Sequence, residues 1–226
     1  VIRPMVATAI NTSVTRNLVL TADEAWSVES KPEWVTLDKS SGEGKSEIKL
    51  TFARKPADGS ARSGEVVFKL DEKDYRTRLS LTQYDYEYEE DEIITLQSAT
   101  KGAGVNVVIL GDGFNAQDIS NGKLMQAMKE TWQHLFSIEP FKFYKDYFNV
   151  YTAVPVSAES GVGTVNRVVN NRFNTATNGG VTRNGHDDYY EVMQYACKAP
   201  TVDNSNINRT LIIMIPNTKD YGGVTY

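Results

Sequence analysis

Two histidines, one cysteine and one Gly-Asp-Gly step are the residues of this chain whose types could do chemistry. His134 and His186 lie far apart, and neither stands in His-Glu-x-x-His, the spacing that puts two zinc ligands on one helical face. His186-Asp187-Asp188 could contact a metal; a polar helix start, with acids near the positive end of the helix dipole, explains it more simply. Cys197 falls on an apolar helical stripe and reads as a small buried residue rather than a nucleophile. A single cysteine excludes an internal disulfide. At Gly111-Asp112-Gly113 a nucleophile would need a hydroxyl at position 113, and glycine has none. Lys101-Gly102-Ala103-Gly104 precedes an apolar run, whereas a dinucleotide-binding fingerprint follows one, and no Gly-x-x-x-x-Gly-Lys phosphate loop occurs. Asp85, Glu87, Glu89, Glu90, Asp91 and Glu92 could gather a calcium ion. They lack the glycine turn and fixed steps of a hard-cation loop, so a solvated acidic linker strand over residues 85–92 is the reading.

The elements that must position these residues centre on Val105–Leu110. That run is short, apolar and rich in β-branched residues, which suits a strand buried on both faces of a helix-covered sheet. It ends at Gly111-Asp112-Gly113, where glycine permits a sharp exit. The next pattern predicts one helix from about Gln117 or Ile119 to Ser137. Leu124, Met125, Met128, Thr131, Trp132, Leu135 and Phe136 form its apolar stripe, and His134 faces solvent. Pro140 stops it. Further strands are predicted at Ile93–Gln97, Phe148–Val156 and Leu211–Ile215, with a second helix from about Asp187 to Lys198. Residues 157–184 are rich in Gly, Asn and Thr and read as a long irregular loop, usually functional or mobile.

Upstream, period-two alternation dominates. Ile48, Leu50 and Phe52, then Val66, Phe68 and Leu70, then Leu79 and Leu81 alternate with polar residues between clear turn clusters. This is the pattern of a β-sandwich whose sheets each have one wet face. Trp26 and Trp34 fit core plugs better than sugar platforms. The tyrosines at 84, 86 and 88 break the parity of Leu79 and Leu81, which predicts a bulge or domain exit near Gln83.

Of the 226 residues, 40% are hydrophobic and 23% charged, the balance of a soluble globular chain. A net charge of −5 without a Lys/Arg cluster argues against a nucleic-acid surface. No run approaches the roughly 20 apolar residues that span a bilayer. The chain opens on Val1-Ile2-Arg3-Pro4, without Met or an apolar signal core. It is therefore expected to be a processed or excised piece whose targeting signal is out of view.

Trp26-Ser27-Val28-Glu29-Ser30, Glu33-Trp34-Val35-Thr36-Leu37, Ser40-Ser41-Gly42-x-Gly44, Arg62-x-Gly64 and Leu81-Thr82-Gln83 together resemble the BACON-type domain, over about residues 13–84. That resemblance implies a small immunoglobulin-like sandwich found in exported proteins of gut Bacteroidetes. Val107–Phe114, Ile138-Glu139-Pro140-Phe141, Tyr144–Val150 and Ser157-x-Glu159-Ser160-Gly161 follow in the order seen in the IgA-peptidase-like zinc metallopeptidases, which the sequence resembles from about Glu92 onward.

The joint resemblance implies an α+β two-domain protein. A sandwich (1–84) and an acidic linker strand (85–92) precede the upstream half of an α/β zincin-like domain (93–226). It implies export to an extracellular, cell-surface or periplasmic location. The partners it implies are an extracellular protein or glycoprotein substrate, a glycan, and the missing C-terminal half. In that family the zinc ligands and general base lie in a His-Glu-x-x-His helix downstream of a strand such as Leu211–Ile215. No such helix occurs here, so no catalytic or metal residue carries over and this stretch alone is expected to be inactive. A catalytic zinc needs about three protein ligands. An edge strand before the active-site helix pairs with extended substrate in such folds, which places Gly222, Gly223 and Val224 as candidate substrate-backbone contacts. The alternative is a non-catalytic carbohydrate- or protein-binding module.

Overall fold

The computed structural model describes residues 1–56, 58–72, 74–164, 166–178, 181–183 and 186–219, except for the side chains at 178, 181–183 and 186–188. The chain forms two compact units, Val1–Glu89 and Glu90–Tyr226.

The first unit is all β. Its strands are β1 (Ile2–Arg3), β2 (Val6–Ala9), β3 (Val14–Thr21), β4 (Trp26–Ser30), β5 (Val35–Leu37), β6 (Ser41–Gly42), β7 (Lys45–Phe52), β8 (Arg62–Leu70) and β9 (Tyr75–Gln83). They make two sheets, ordered β1-β3-β7-β5 and β2-β9-β8-β4-β6. The alternation read from the sequence sends Ile48, Leu50, Phe52, Val66, Phe68, Leu79 and Leu81 into one core. Strands at the sheet edges run only 2 to 4 residues, which limits the unpaired backbone they offer to other chains. Trp26 is 1% exposed and meets Phe68 edge to face, so it is the core plug expected.

Of the two causes that the parity break near Gln83 suggested, the structure has no bulge there: the strand simply ends. Leu79, Leu81 and Gln83 are all buried on one face, and β9 ends at Gln83 without switching sides. Gln83 can occupy a core position because its side chain is bonded. Its Nε2 donates to the carbonyls of Ile10, Thr12 and Ala53, and its Oε1 accepts from Arg62.

Residues 85–92 form no strand; they are turn and irregular backbone between β9 and the next ladder. The acidic linker strand is therefore corrected, and acids of this stretch have partners in the fold, Glu89 with Arg54 among them. Asp85 accepts from Lys55, whose side chain is 5% exposed. Asp91 accepts from Tyr195 and Lys198.

The second unit is a mixed sheet with helices. Its main strands are β10 (Ile93–Gln97), β11 (Val105–Asp112) and β12 (Phe148–Ala153). A small three-stranded sheet, β13 (Gly163–Thr164), β14 (Ala176–Asn178) and β15 (Val181–Arg183), follows, and β16 (Leu211–Pro216) completes the main sheet. The main sheet runs β10-β12-β11-β16; β11 is parallel to both neighbours and β10 is antiparallel to β12. Every residue from Val107 to Asp112 is buried, as an unbroken apolar run demands of a central strand.

The single helix expected after Gly113 is two: α1 (Ala116–Ser120) and α2 (Lys123–Leu135). Gly122, with φ of 78°, makes the break and serves as N-cap of α2. That backbone angle strains any other residue, so the Asn121-Gly122 step overrides the apolar stripe that runs through it. Helix α2 packs on β11 and buries Leu124, Met125 and Met128. On the other face, α3 (His186–Ala196) joins Val108, Leu110, Tyr151, Phe173, Ile212 and Met214 in a second core through Val192, Tyr195 and Ala196. The expected irregular loop at 157–184 is thus partly a small sheet of its own.

Candidate functional site

Ligands of parallel α/β sheets bind outside the carboxyl ends of the strands, so the end of β11 is the place to build from. It is not an open crevice. Asp112 is fully buried, and its carboxylate is enclosed by donors. Oδ1 accepts from the amides of Gly113 at 2.8 Å, Arg172 at 2.8 Å and Phe173 at 3.2 Å, and from the Ser157 hydroxyl at 3.3 Å. Oδ2 accepts from the Thr175 amide at 3.0 Å. Each of these partners is a donor, the set that an acceptor-only carboxylate takes. The Ser157 oxygen in turn accepts from the amides of Gly113 and Arg172.

One side chain thus pins a strap, residues 157–175, across the strand end at two places. Between them the Gly161 amide donates to the Gly113 carbonyl at 2.8 Å, and a parallel bridge joins Asn115 to Ser157. The strand end is filled by its own chain.

Polar groups gather on the rim of this plug. Asn115 and Asp118 close a capping box on α1. Asp118 Oδ2 also accepts from Ser160 Oγ at 2.6 Å and from Asn217 Nδ2 at 3.1 Å. Asn217 stands just past β16, where its amide donates to the Asp112 carbonyl at 2.8 Å. Behind the strap, Arg172 pairs with Glu191 of α3 and lies 5.4 Å from the Tyr195 ring centre. The Tyr195 hydroxyl donates to Asp91 at 2.5 Å, and Lys198 Nζ lies 4.0 Å over its ring. Burial, with the Asp91 charge beside it, holds the Tyr195 phenol far above its ordinary range.

The residues singled out from sequence fare unequally. Gly222, Gly223 and Val224 lie outside the described residues, as does the side chain of His186. His134 is exposed near the end of α2, as expected of a surface histidine. Cys197 is half-buried, with its thiol 3.8 Å from Asn204 Oδ1. Burial pushes the thiol pKa up, the wrong direction for a nucleophile. No group of three or more His, Cys, Asp or Glu among the described residues could hold a metal ion. These residues therefore do not fit a zinc centre. Trp34 offers no open sugar platform, because the Arg62 guanidinium lies 4.7 Å over its ring and Phe52 packs at 5.9 Å. Among the described residues no helix is long and apolar enough to cross a membrane.

Sequence reading took Ser157, Glu159, Ser160 and Gly161 only as parts of a resemblance; it weighed Gly111-Asp112-Gly113 for a nucleophile without giving Asp112 a role, and it did not single out Arg172 or Asn217. An acid at the end of a fully buried strand was the one available signal for Asp112.

A family model described as IgA Peptidase M64 matches residues 93–226, and one described as BACON, a putative N-terminal binding domain, matches residues 24–84. No curated protein matches the chain. Among solved structures, a Bacteroides ovatus GH5 xyloglucanase in complex with a XXXG heptasaccharide is 11% identical, with a TM-score of 0.35 over 49% of this chain and 25% of that one. The chain thus covers a quarter of the xyloglucanase. WR4, a C. elegans MSP family member, is 13% identical, with a TM-score of 0.28 over 38% of this chain and 95% of that one.

Proposed function

The chain belongs to the IgA peptidase M64 family, a metallopeptidase family, and we propose on that footing that it is part of an exported zinc-dependent endopeptidase. The observation that carries this is the extent of the family match, which takes in all of the second unit from β10 onward. The reaction would be hydrolysis of peptide bonds in an extracellular protein or glycoprotein. The second unit would be the scaffold of a zincin-like domain. Its sequence contains no His-Glu-x-x-His, and its described residues do not fit the metal, so we assign the zinc ligands to a part of the protein outside these 226 residues. What this chain supplies is the sheet, the two helical layers and the strap that closes the end of β11.

The first unit carries the binding-domain match, which favours a second reading: a non-catalytic extracellular module that holds a protein or glycan. Its tryptophans do not serve that role, since Trp26 is buried and Trp34 is covered.

The test is made on the full-length gene product. Its zinc content is measured alongside hydrolysis of immunoglobulin A and of a panel of unfolded proteins. About one zinc per chain, with hydrolysis abolished by a chelator and restored by zinc, supports the peptidase. Absence of both zinc and hydrolysis overturns it in favour of the binding module.

A further inference from the structure

We propose that the segment between α2 and β12, residues 137–147, seats the protein on an anionic lipid surface. Ile138, Phe143, Tyr144 and Tyr147 enter the headgroup layer, and Lys142 and Lys145 meet the lipid phosphates. No catalytic residue takes part, so this holds whether or not the protein is a peptidase.

From Ser137 to Tyr147 every residue is exposed except Phe141, which is half-buried. Phe143 is 77% exposed, Tyr144 49%, Ile138 48% and Tyr147 43%. Apolar residues scattered singly over a surface need no explanation. Four large ones on one short segment make a contiguous patch, and such a patch marks an interaction site.

The backbone holds these rings outside. Phe141 turns inward to Phe136 and Phe148, with ring centres 6.4 and 5.8 Å away. The amides of Lys142, Tyr144 and Tyr147 donate to the carbonyls of Ile138, Pro140 and Tyr144. The Phe143 amide donates to Glu139 Oε2 at 3.2 Å, and the Asp146 carbonyl accepts from the amides of Thr100 and Lys101. With Phe141 in the core and the turns bonded, Phe143 and Tyr144 have no route inward.

Charge selects the partner. The chain carries −5 overall, yet this segment together with Lys101 holds three lysines against two acids. Both acids are engaged, Asp146 by Lys101 at 2.8 Å and Glu139 by the Phe143 amide. Among the described residues Lys142 and Lys145 have no carboxylate partner; Lys145 Nζ lies 5.5 Å from the Trp132 ring centre. The patch is therefore aromatic and cationic on a chain that is otherwise acidic.

A protein and a sugar fit this surface less well. Lysine is depleted from the cores of protein interfaces, and here Lys142 and Lys145 interleave with the rings. Sugars stack on open, flat ring faces. Phe143 and Tyr144 stand edge to face at 83°, and Tyr144 and Tyr147 at 63°, so the rings share no platform. A lipid interface accepts aromatic rings at headgroup level in any orientation, with lysine stems against apolar surface and ammonium groups on phosphate. Lying on a membrane in this way needs no spanning helix.

The experiment uses the full-length protein and two vesicle preparations, phosphatidylcholine alone and phosphatidylcholine with about a third phosphatidylglycerol. The expected result is co-sedimentation with the anionic vesicles and little with the neutral ones. Phe143→Ala should weaken that binding about tenfold, and Lys142→Ala about fivefold. Both side chains are exposed, so neither change should lower the melting temperature. Failure to bind anionic vesicles, equal binding to neutral ones, or full binding by Phe143→Ala overturns the proposal. Should Phe143→Ala fail to fold, Lys142→Glu keeps the test: lost binding to anionic vesicles supports the proposal and unchanged binding overturns it. Acetylation of the lipid-free protein, mapped by mass spectrometry, reads whether the patch is open. Reactive Lys142 and Lys145 support the proposal. Protection of both shows that another part of the protein, or a second copy, covers the patch, and that overturns it.

Discussion

Gly113 and Gly161 are in backbone contact: the Gly161 amide donates to the Gly113 carbonyl at 2.8 Å, and a β-carbon on Gly113 would stand 2.2 Å from the Gly161 carbonyl oxygen. Gly113 also has φ of 75°. Two independent demands therefore fall on one residue, a left-handed backbone and the close approach of a second chain segment. Gly113→Ala meets neither. The strap or the turn must move, at a cost of about 2–4 kcal/mol from backbone strain and overpacking together. Urea unfolding of the second unit, followed by hydrogen exchange at β11, checks this. Wild-type stability in the variant would mean the turn is far softer than its contacts imply.

Asp112→Asn tests the carboxylate itself with almost no change in shape. An amide can keep its oxygen toward the four donors on Oδ1, but its NH₂ then faces the Thr175 N–H, donor against donor. The loss of charge also weakens every remaining bond. We expect destabilisation of about 2–4 kcal/mol. Faster exchange should be concentrated at the amides of Arg172, Phe173 and Thr175, with β10, β11 and β12 still protected. Uniform loss of protection across the sheet would show that Asp112 is not a local fastening of the strap.

The first unit has its own ion cluster around a buried lysine, and it sets an acid limit. Lys55 donates to Asp85 at 2.9 Å, to Asp58 at 3.0 Å and to the Pro56 carbonyl at 2.8 Å. The Lys55 bond, aided by the Gly59 and Asp58 amides, lowers the Asp85 pKa against the opposing effect of burial. A carboxylate whose folded pKa is depressed contributes stability above its unfolded value, about 3.9, and loses it as pH falls through the folded one. Stability of this unit should therefore decline below about pH 4. Lys55→Met should cost about 1–3 kcal/mol at neutral pH, less than a fully buried pair because Asp85 is 22% exposed. It should also flatten the acid decline. Urea unfolding from pH 7 to 3, read by Trp26 and Trp34, measures both, and an unchanged acid slope would exclude Asp85 as its source.

The sequence by itself determined the elements whose signal is local. β10 begins and ends at Ile93 and Gln97 as read, and the buried run from Val105 and the strand from Leu211 were legible because adjacent apolar, β-branched residues leave few other backbone states. The alternation of β7, β8 and β9 likewise named its own buried face. The break at Gly122 was legible in principle, since Asn121-Gly122 is a turn signal, but the apolar stripe around it read as one continuous helix.

Tertiary structure alone decided what the polar residues do. Asp112 finds its donors on residues 157 to 175, brought back across the strand end by the chain's path, and no spacing in the sequence encodes that meeting. The acidic stretch looked solvated because its neighbours in sequence are acids. In the fold Asp85 meets Lys55, and Asp91 meets Tyr195 and Lys198. The break at Gln83 read as a bulge or a domain exit; the strand does end there, and Gln83 itself is buried because three distant carbonyls and Arg62 satisfy its amide. Apolar residues declare burial through their own solvation, whereas a buried polar group is tolerable only with its partners in place, and those partners are chosen by the fold.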